Sequence, residues 1–177
     1  MNPTMLSPAP GAAALFLEPA ARTLLLLHAT VGFTALFACT HHAVYAILTL
    51  RGPTRAPQLM RFGWIAPTAL TMQLVLGLLV YPTYRVRVRA EHFDRENLLT
   101  LSQLFDFKEH AAALAFALCL AAAVVGRSFA RDRSLAQGQR AQVVRGIAAL
   151  SVTGAALVWS AALIGLYLTM RRPVGMP

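Results

Sequence analysis

The chain has 177 residues, 57% of them hydrophobic and only 13% charged, with a mean hydropathy of +0.57, whereas an ordinary soluble domain is roughly a quarter charged. That composition excludes a disordered chain and argues against a water-soluble globule. The formal net charge of +9 does not mark a nucleic-acid surface either, because the arginines fall in short connections and form no basic face interleaved with aromatics.

Charge-free runs occur at residues 23–50, 62–84, 111–126 and 146–170, with lengths of 28, 23, 16 and 25 residues. A bilayer core about 30 Å thick needs about 20 helical residues, so three runs are long enough and the third is not. The third helix must recruit residues before Ala111 and leave Arg127 to snorkel. Asp106, Lys108, Glu109 and His110 are thereby drawn to the membrane boundary. The runs predict an all-α fold: an integral-membrane, up-down four-helix bundle forming a single transmembrane domain over 1–177, with helices at about 22–51, 61–82, 106–127 and 144–170.

In chain order, residues 11–18 are expected to lie along the interface. The first 21 residues carry Glu18 but no basic n-region, so no removable signal peptide is expected. Arg51-Gly-Pro-Thr breaks the first helix, Tyr81-Pro-Thr-Tyr ends the second, and Gly126-Arg opens the connection after the third. Between the second and third helices, in the connection 83–105, Tyr84-Arg-Val-Arg-Val-Arg alternates basic and apolar residues. Phe93, Leu98, Leu101, Leu104 and Phe105 then recur at near-helical spacing. This predicts an extended segment followed by an interfacial helix. Its arginines either anchor a solubilising lid to phosphates or neutralise a bound anionic group.

Arginine density sets the expected orientation. The loop 51–61 holds three arginines and the loop 127–145 holds five, whereas the opposite side spreads its basic residues over more chain and dilutes them with acids. The positive-inside rule then places the two dense loops in the cytoplasm, with both termini and the connection 83–105 outside. The expected location is a bacterial-type inner membrane, with the bilayer and further membrane subunits as partners and no nucleic acid.

Ionisable groups inside a bilayer are costly and mark function, which directs attention to the histidines. His28 lies near the outer end of the first helix, His41 and His42 near its inner end, His92 in the outer connection, and His110 at the start of the third helix. With antiparallel alternation, His28 and His110 fall at comparable depth on parallel helices. At 100° per residue His28 shares a stripe with Gly32, Ala35, Cys39, His42 and Ala46, and His110 shares one with Ala113, Ala117 and Val124. Small residues opposite imidazoles either let backbones approach or leave room for a flat cofactor. The cofactor reading is a b-type haem with His28 and His110 as axial ligands and Asp106 or Glu109 influencing His110.

The 14-residue spacing from His28 to His42 resembles that by which one helix of the quinol-oxidising cytochrome b family supplies ligands to two stacked haems. The resemblance covers this helix, and the third helix offers Ala123 or Val124, not histidine, at the inner level. The chain is also similar to small four-helix b-type cytochromes and to small His-bearing membrane proteins of terminal-oxidase assembly. What these resemblances imply is respiratory-chain electron transfer, with haem b and a quinone as cofactors. On the haem reading, Arg85, Arg87 or Arg89 would pair with the propionates.

Other readings stay open. Asp106 and His110, spaced i to i+4, could join His28 or His92 in holding copper or zinc. Gln73 could hydrogen-bond between helices or touch a quinone headgroup. Cys39 and Cys119 fall inside spans, where free cysteine packs as a small apolar residue. A cofactor-free accessory subunit of a larger complex fits the Ala- and Leu-rich faces. The sequence contains no CxxC, HExxH, GxSxG or nucleotide-binding glycine loop, so no independent catalytic motif points to an enzyme.

Overall fold

Alanine and glycine, rather than leucine, line the interior of this molecule. Ala35, Ala38, Ala66, Ala115 and Ala122 are each at most 1% exposed, while Phe33, Leu26, Leu78, Leu166 and Met170 point outward. Water would reverse that arrangement. It suits a bundle whose solvent is lipid, where small residues let helix backbones approach and large apolar side chains lose nothing by facing hydrocarbon.

In this computed structural model residues 15–52, 55–131 and 136–171 are described. A short 3-10 turn at Glu18–Ala20 leads into α1 (Ala21–Arg51), followed by α2 (Ala56–Thr83), a π-helical segment π1 (Tyr84–Asp94), α3 (Leu99–Arg131) and α4 (Gln137–Arg171). The fold is an all-α, up-down four-helix bundle. All four long helices are apolar and long enough to cross a membrane. Helices adjacent in sequence pack side by side and α4 closes against α1, which leaves α1 and α3 facing each other across the diagonal.

Helix α3 does recruit residues ahead of its short apolar run, reaching back to Leu99. The connection before it differs from the expected extended segment followed by an interfacial helix. Pro82 lacks the amide that would bond the carbonyl of Leu78, and from Tyr84 the chain continues in the wider π winding. That winding turns Tyr84, Val88 and Phe93 inward together, so burial of three large side chains outweighs the local alternation of the sequence. The turn into α3 passes through Asn97, whose φ of 55° lies in the left-handed region that asparagine tolerates. Ser102 Oγ donates to Asp94 at 2.5 Å and the Leu98 amide to the Phe93 carbonyl at 2.7 Å.

One end of the bundle is thus capped by π1, Phe105 and Leu168, and the opposite end holds His42. Of the segment 11–18 expected along the interface, residues 11–14 lie outside the described residues, as do Arg133 and Arg172 of the charge comparison.

Candidate functional site

The stripe of α1 that carries His28 does face the interior, with Ala35, Cys39, His42 and Ala46 all buried along it. Two helical positions that lack a side chain admit His28 and its partner on α2. A Cβ on Gly77 would stand 3.2 Å from His28 Cε1, and one on Gly32 would stand 3.0 Å from Gln73 Nε2. The Gln73 amide nitrogen lies 2.8 Å from His28 Nε2 and donates to it. This assigns the imidazole proton to Nδ1. Both His28 Nδ1 and Gln73 Oε1 are buried and have no hydrogen-bond partner among the described residues.

The α3 residue facing this pair is Lys108. Its stem lies 3.6 Å from the Cβ position of Gly165 on α4, and its ammonium sits 5.0 Å above the Phe105 ring and 5.4 Å above the Tyr84 ring. Those two rings stack with centroids 5.4 Å apart. Among the described residues no carboxylate forms an ion pair with Lys108. Cation–π contact offsets part of the cost of desolvating the ammonium. Helices α1, α2 and α3 therefore contribute to one polar layer beneath the cap: a donor at His28, an acceptor at Gln73, and a cation at Lys108.

His110 is not part of this layer. It is exposed, its Nδ1 lies 2.7 Å from the carbonyl of Asp106 one turn back, and its stripe of Ala113, Ala117 and Val124 is exposed throughout. The geometry follows from Cys119, which faces the core: nine residues at 100° put His110 on the opposite side of α3, while eleven residues bring Lys108 almost into line with it. His28 and His110 therefore do not face a common space in this structure. The mixed Asp106–His110 metal reading also finds no third ligand, since no three His, Cys, Asp or Glu side chains converge among the described residues.

The arginines expected to meet propionates are engaged within the chain. Arg87 pairs with Glu18 at 2.7 Å and Glu91 at 2.8 Å, tying π1 to the turn before α1. Arg89 grips Asp106 through both carboxylate oxygens, at 2.5 and 2.9 Å, and so ties π1 to α3. Arg85 is exposed and bonds the Tyr81 hydroxyl. Arg87 and Arg89 thus fasten the cap to other elements, whereas Arg85 bonds only within its own turn.

At the far end His42 is 1% exposed, and its Nδ1 has no hydrogen-bond partner among the described residues. It borders a cavity of about 10 Å³ shared with Met60, Gly63 and Gly126. Its neighbour His41 instead stacks on Phe62 and beside Phe37. One turn from His42 and eleven residues from His28, Cys39 touches Cys119 across the diagonal, sulfur to sulfur at 3.9 Å, both free thiols.

Set against family models, curated proteins and solved structures, the chain matches none. What sequence reasoning missed at the site is Lys108, and the signal was available. Phe107 and Leu114 lie on the face of α3 that carries His110 and are large and apolar, whereas Ala111, Ala115 and Cys119, on the face of Lys108, are small. In a membrane bundle the small side is the inside.

Proposed function

We propose that the protein is a membrane subunit of an electron-transfer system that engages a quinone or quinol at the His28–Gln73–Lys108 layer. The observation that carries this reading is the pair of buried atoms His28 Nδ1 and Gln73 Oε1, at the level of the Lys108 ammonium, all three without a hydrogen-bond or ion-pair partner among the described residues. Buried polar groups are ordinarily satisfied, and polar groups within a span mark functional sites. A quinone would supply the redox chemistry when bound. The chain's own groups match its head: the His28 Nδ1–H donates to a ring oxygen, Gln73 Oε1 accepts from a hydroxyl of the reduced form, and Lys108 opposes negative charge on oxygen. Density of arginine in the loops 51–61 and 127–145 supports a bacterial inner membrane with the capped end outside.

The test is quinone retention by the purified protein in lipid nanodiscs, read by solvent extraction and by photo-crosslinking with an azido-quinone. The expected result is a stoichiometric quinone whose crosslinks map to α1, α2 and α3 near this layer and are lost in His28→Leu. Retention no greater than that of empty nanodiscs would overturn the reading in favour of an accessory subunit without a cofactor. A reduced-minus-oxidised haem band abolished equally by His28→Ala and His110→Ala would replace it with a haem held by those two rings.

A further inference from the structure

The thiol pair at the centre of the bundle is untouched by the quinone reading. Cys39 of α1 and Cys119 of α3 are each 1% exposed, and their sulfurs meet at 3.9 Å. The surroundings make room for sulfur in particular. A Cβ on Gly154 of α4 would stand 2.9 Å from Cys119 Sγ, closer than real contacts allow, while Ala35, Ala38, Ala115 and Ala155 complete the wall. One turn along the same stripe of α1 comes His42 with its unpartnered Nδ1, and beyond it the small cavity that Met60 borders. Soft sulfur and imidazole donors thus succeed one another along the axis from the His42 end to the middle.

We propose that Cys39 and Cys119 form a two-coordinate binding site for a soft monovalent cation of the Cu(I) type. Three arguments select this occupant. Thiolate and thioether ligands favour Cu(I), whereas structural zinc asks for four ligands, and no three His, Cys, Asp or Glu side chains converge among the described residues. Taking the zinc–thiolate length of about 2.3 Å as the yardstick for a metal–sulfur bond, a linear bridge spans about 4.6 Å, so the sulfurs need part by only about 0.7 Å from their present 3.9 Å. A disulfide of about 2.05 Å would instead have to draw them together by about 1.9 Å, across helices that face each other on the diagonal and not side by side. The third argument is charge. When the cation enters, sheds its water ligands and one thiol gives up its proton, which leaves with that water to bulk solvent, the other sulfur coordinates as a neutral donor and net charge at the site is unchanged. An interior of low dielectric demands that balance.

The experiment uses the full chain in detergent or nanodiscs, reduced with a phosphine that is then removed under anaerobic conditions, with Ag(I) as a probe that undergoes no redox change. Competitive titration is expected to show one tightly held Ag(I) per chain, and X-ray absorption two sulfur neighbours. Cys39→Ala and Cys119→Ala should each abolish that site while leaving helicity by circular dichroism intact. Gly154→Ala keeps both thiols but pushes a methyl group into Cys119 Sγ, and should weaken binding about 10- to 100-fold, as outer-shell changes at metal sites do. Three outcomes would overturn the proposal: no stoichiometric binding, binding retained in the double Cys39→Ala, Cys119→Ala variant, or a chain isolated with the two cysteines joined as a disulfide.

Discussion

His28 and Lys108 stand at one level of the bundle, each eleven residues toward the capped end from the touching Cys39 and Cys119, and each on the face of its helix that points at the axis. Because α1 and α3 run parallel across the diagonal, equal offsets give equal depth, and eleven residues at 100° return almost to the same bearing. The histidine on helix one therefore confronts a lysine, while the nearby His110 faces outward.

A desolvated ammonium with no carboxylate in ion-pair contact among the described residues is a poor stabiliser of a fold, so its presence requires a reason. Replacing Lys108 with methionine keeps the length of the stem and removes the charge. Lys108→Met is expected to raise thermal stability by about 0.5–2 kcal/mol while lowering quinone retention, and His110→Ala, at an exposed position, should move stability by no more than about 0.5 kcal/mol. Thermal unfolding in a fixed detergent, run beside the quinone extraction, reads both. Loss of stability in Lys108→Met with retention unchanged would make the lysine a cation–π clamp over Tyr84 and Phe105 and nothing more.

The His28–Gln73 hydrogen bond depends on two missing methyl groups. In Gly32→Ala the new Cβ stands 3.0 Å from the Gln73 amide nitrogen, and in Gly77→Ala it stands 3.2 Å from His28 Cε1. Each substitution displaces one partner, and a buried hydrogen bond lost in this way costs about 1–3 kcal/mol. That outweighs the gain of up to about 1 kcal/mol in helix propensity from glycine to alanine. Both variants are expected to be less stable than the parent and to lose quinone. An equivalent substitution at Gly146, whose Cβ meets nothing within 4 Å, should be neutral or stabilising by the same thermal measurement.

Much of this architecture is legible in the chain because lipid imposes two simple demands, span length and backbone satisfaction. Four helices, their order and the inward stripe of α1 all follow from charge-free runs and periodicity. The facing of α3 does not, because Ala111, Ala112, Ala113 and Ala115 put small residues on every side of it, and hydropathy has no contrast there. Only the position of bulky side chains breaks the degeneracy. The winding of π1 is hidden for another reason: Arg85, Arg87 and Arg89 alternate as in a strand, yet their partners are Tyr81, Glu18, Glu91, Asp94 and Asp106, and separations of up to 69 residues lie outside any local pattern.

Those distant partners make the cap a unit with its own stability. Arg89 holds Asp106 through two oxygens and its guanidinium lies 5.6 Å over the Phe105 ring, so it fastens π1 to α3 directly above Lys108. Arg85 bonds only the Tyr81 hydroxyl one turn before it and is exposed. The Arg89 pair is partly solvated, with side-chain exposures of 21% and 43%, which limits its worth to about 1 kcal/mol. That is enough to change local opening severalfold. Hydrogen–deuterium exchange of Arg89→Ala should therefore quicken across residues 84–94 and leave the middle of α1 and α4 unchanged, while Arg85→Ala should exchange like the parent. Faster exchange spread evenly over all four helices would show that Arg89 supports the whole bundle, and an unaltered profile would show that apolar burial of Tyr84, Val88 and Phe93 holds the cap alone.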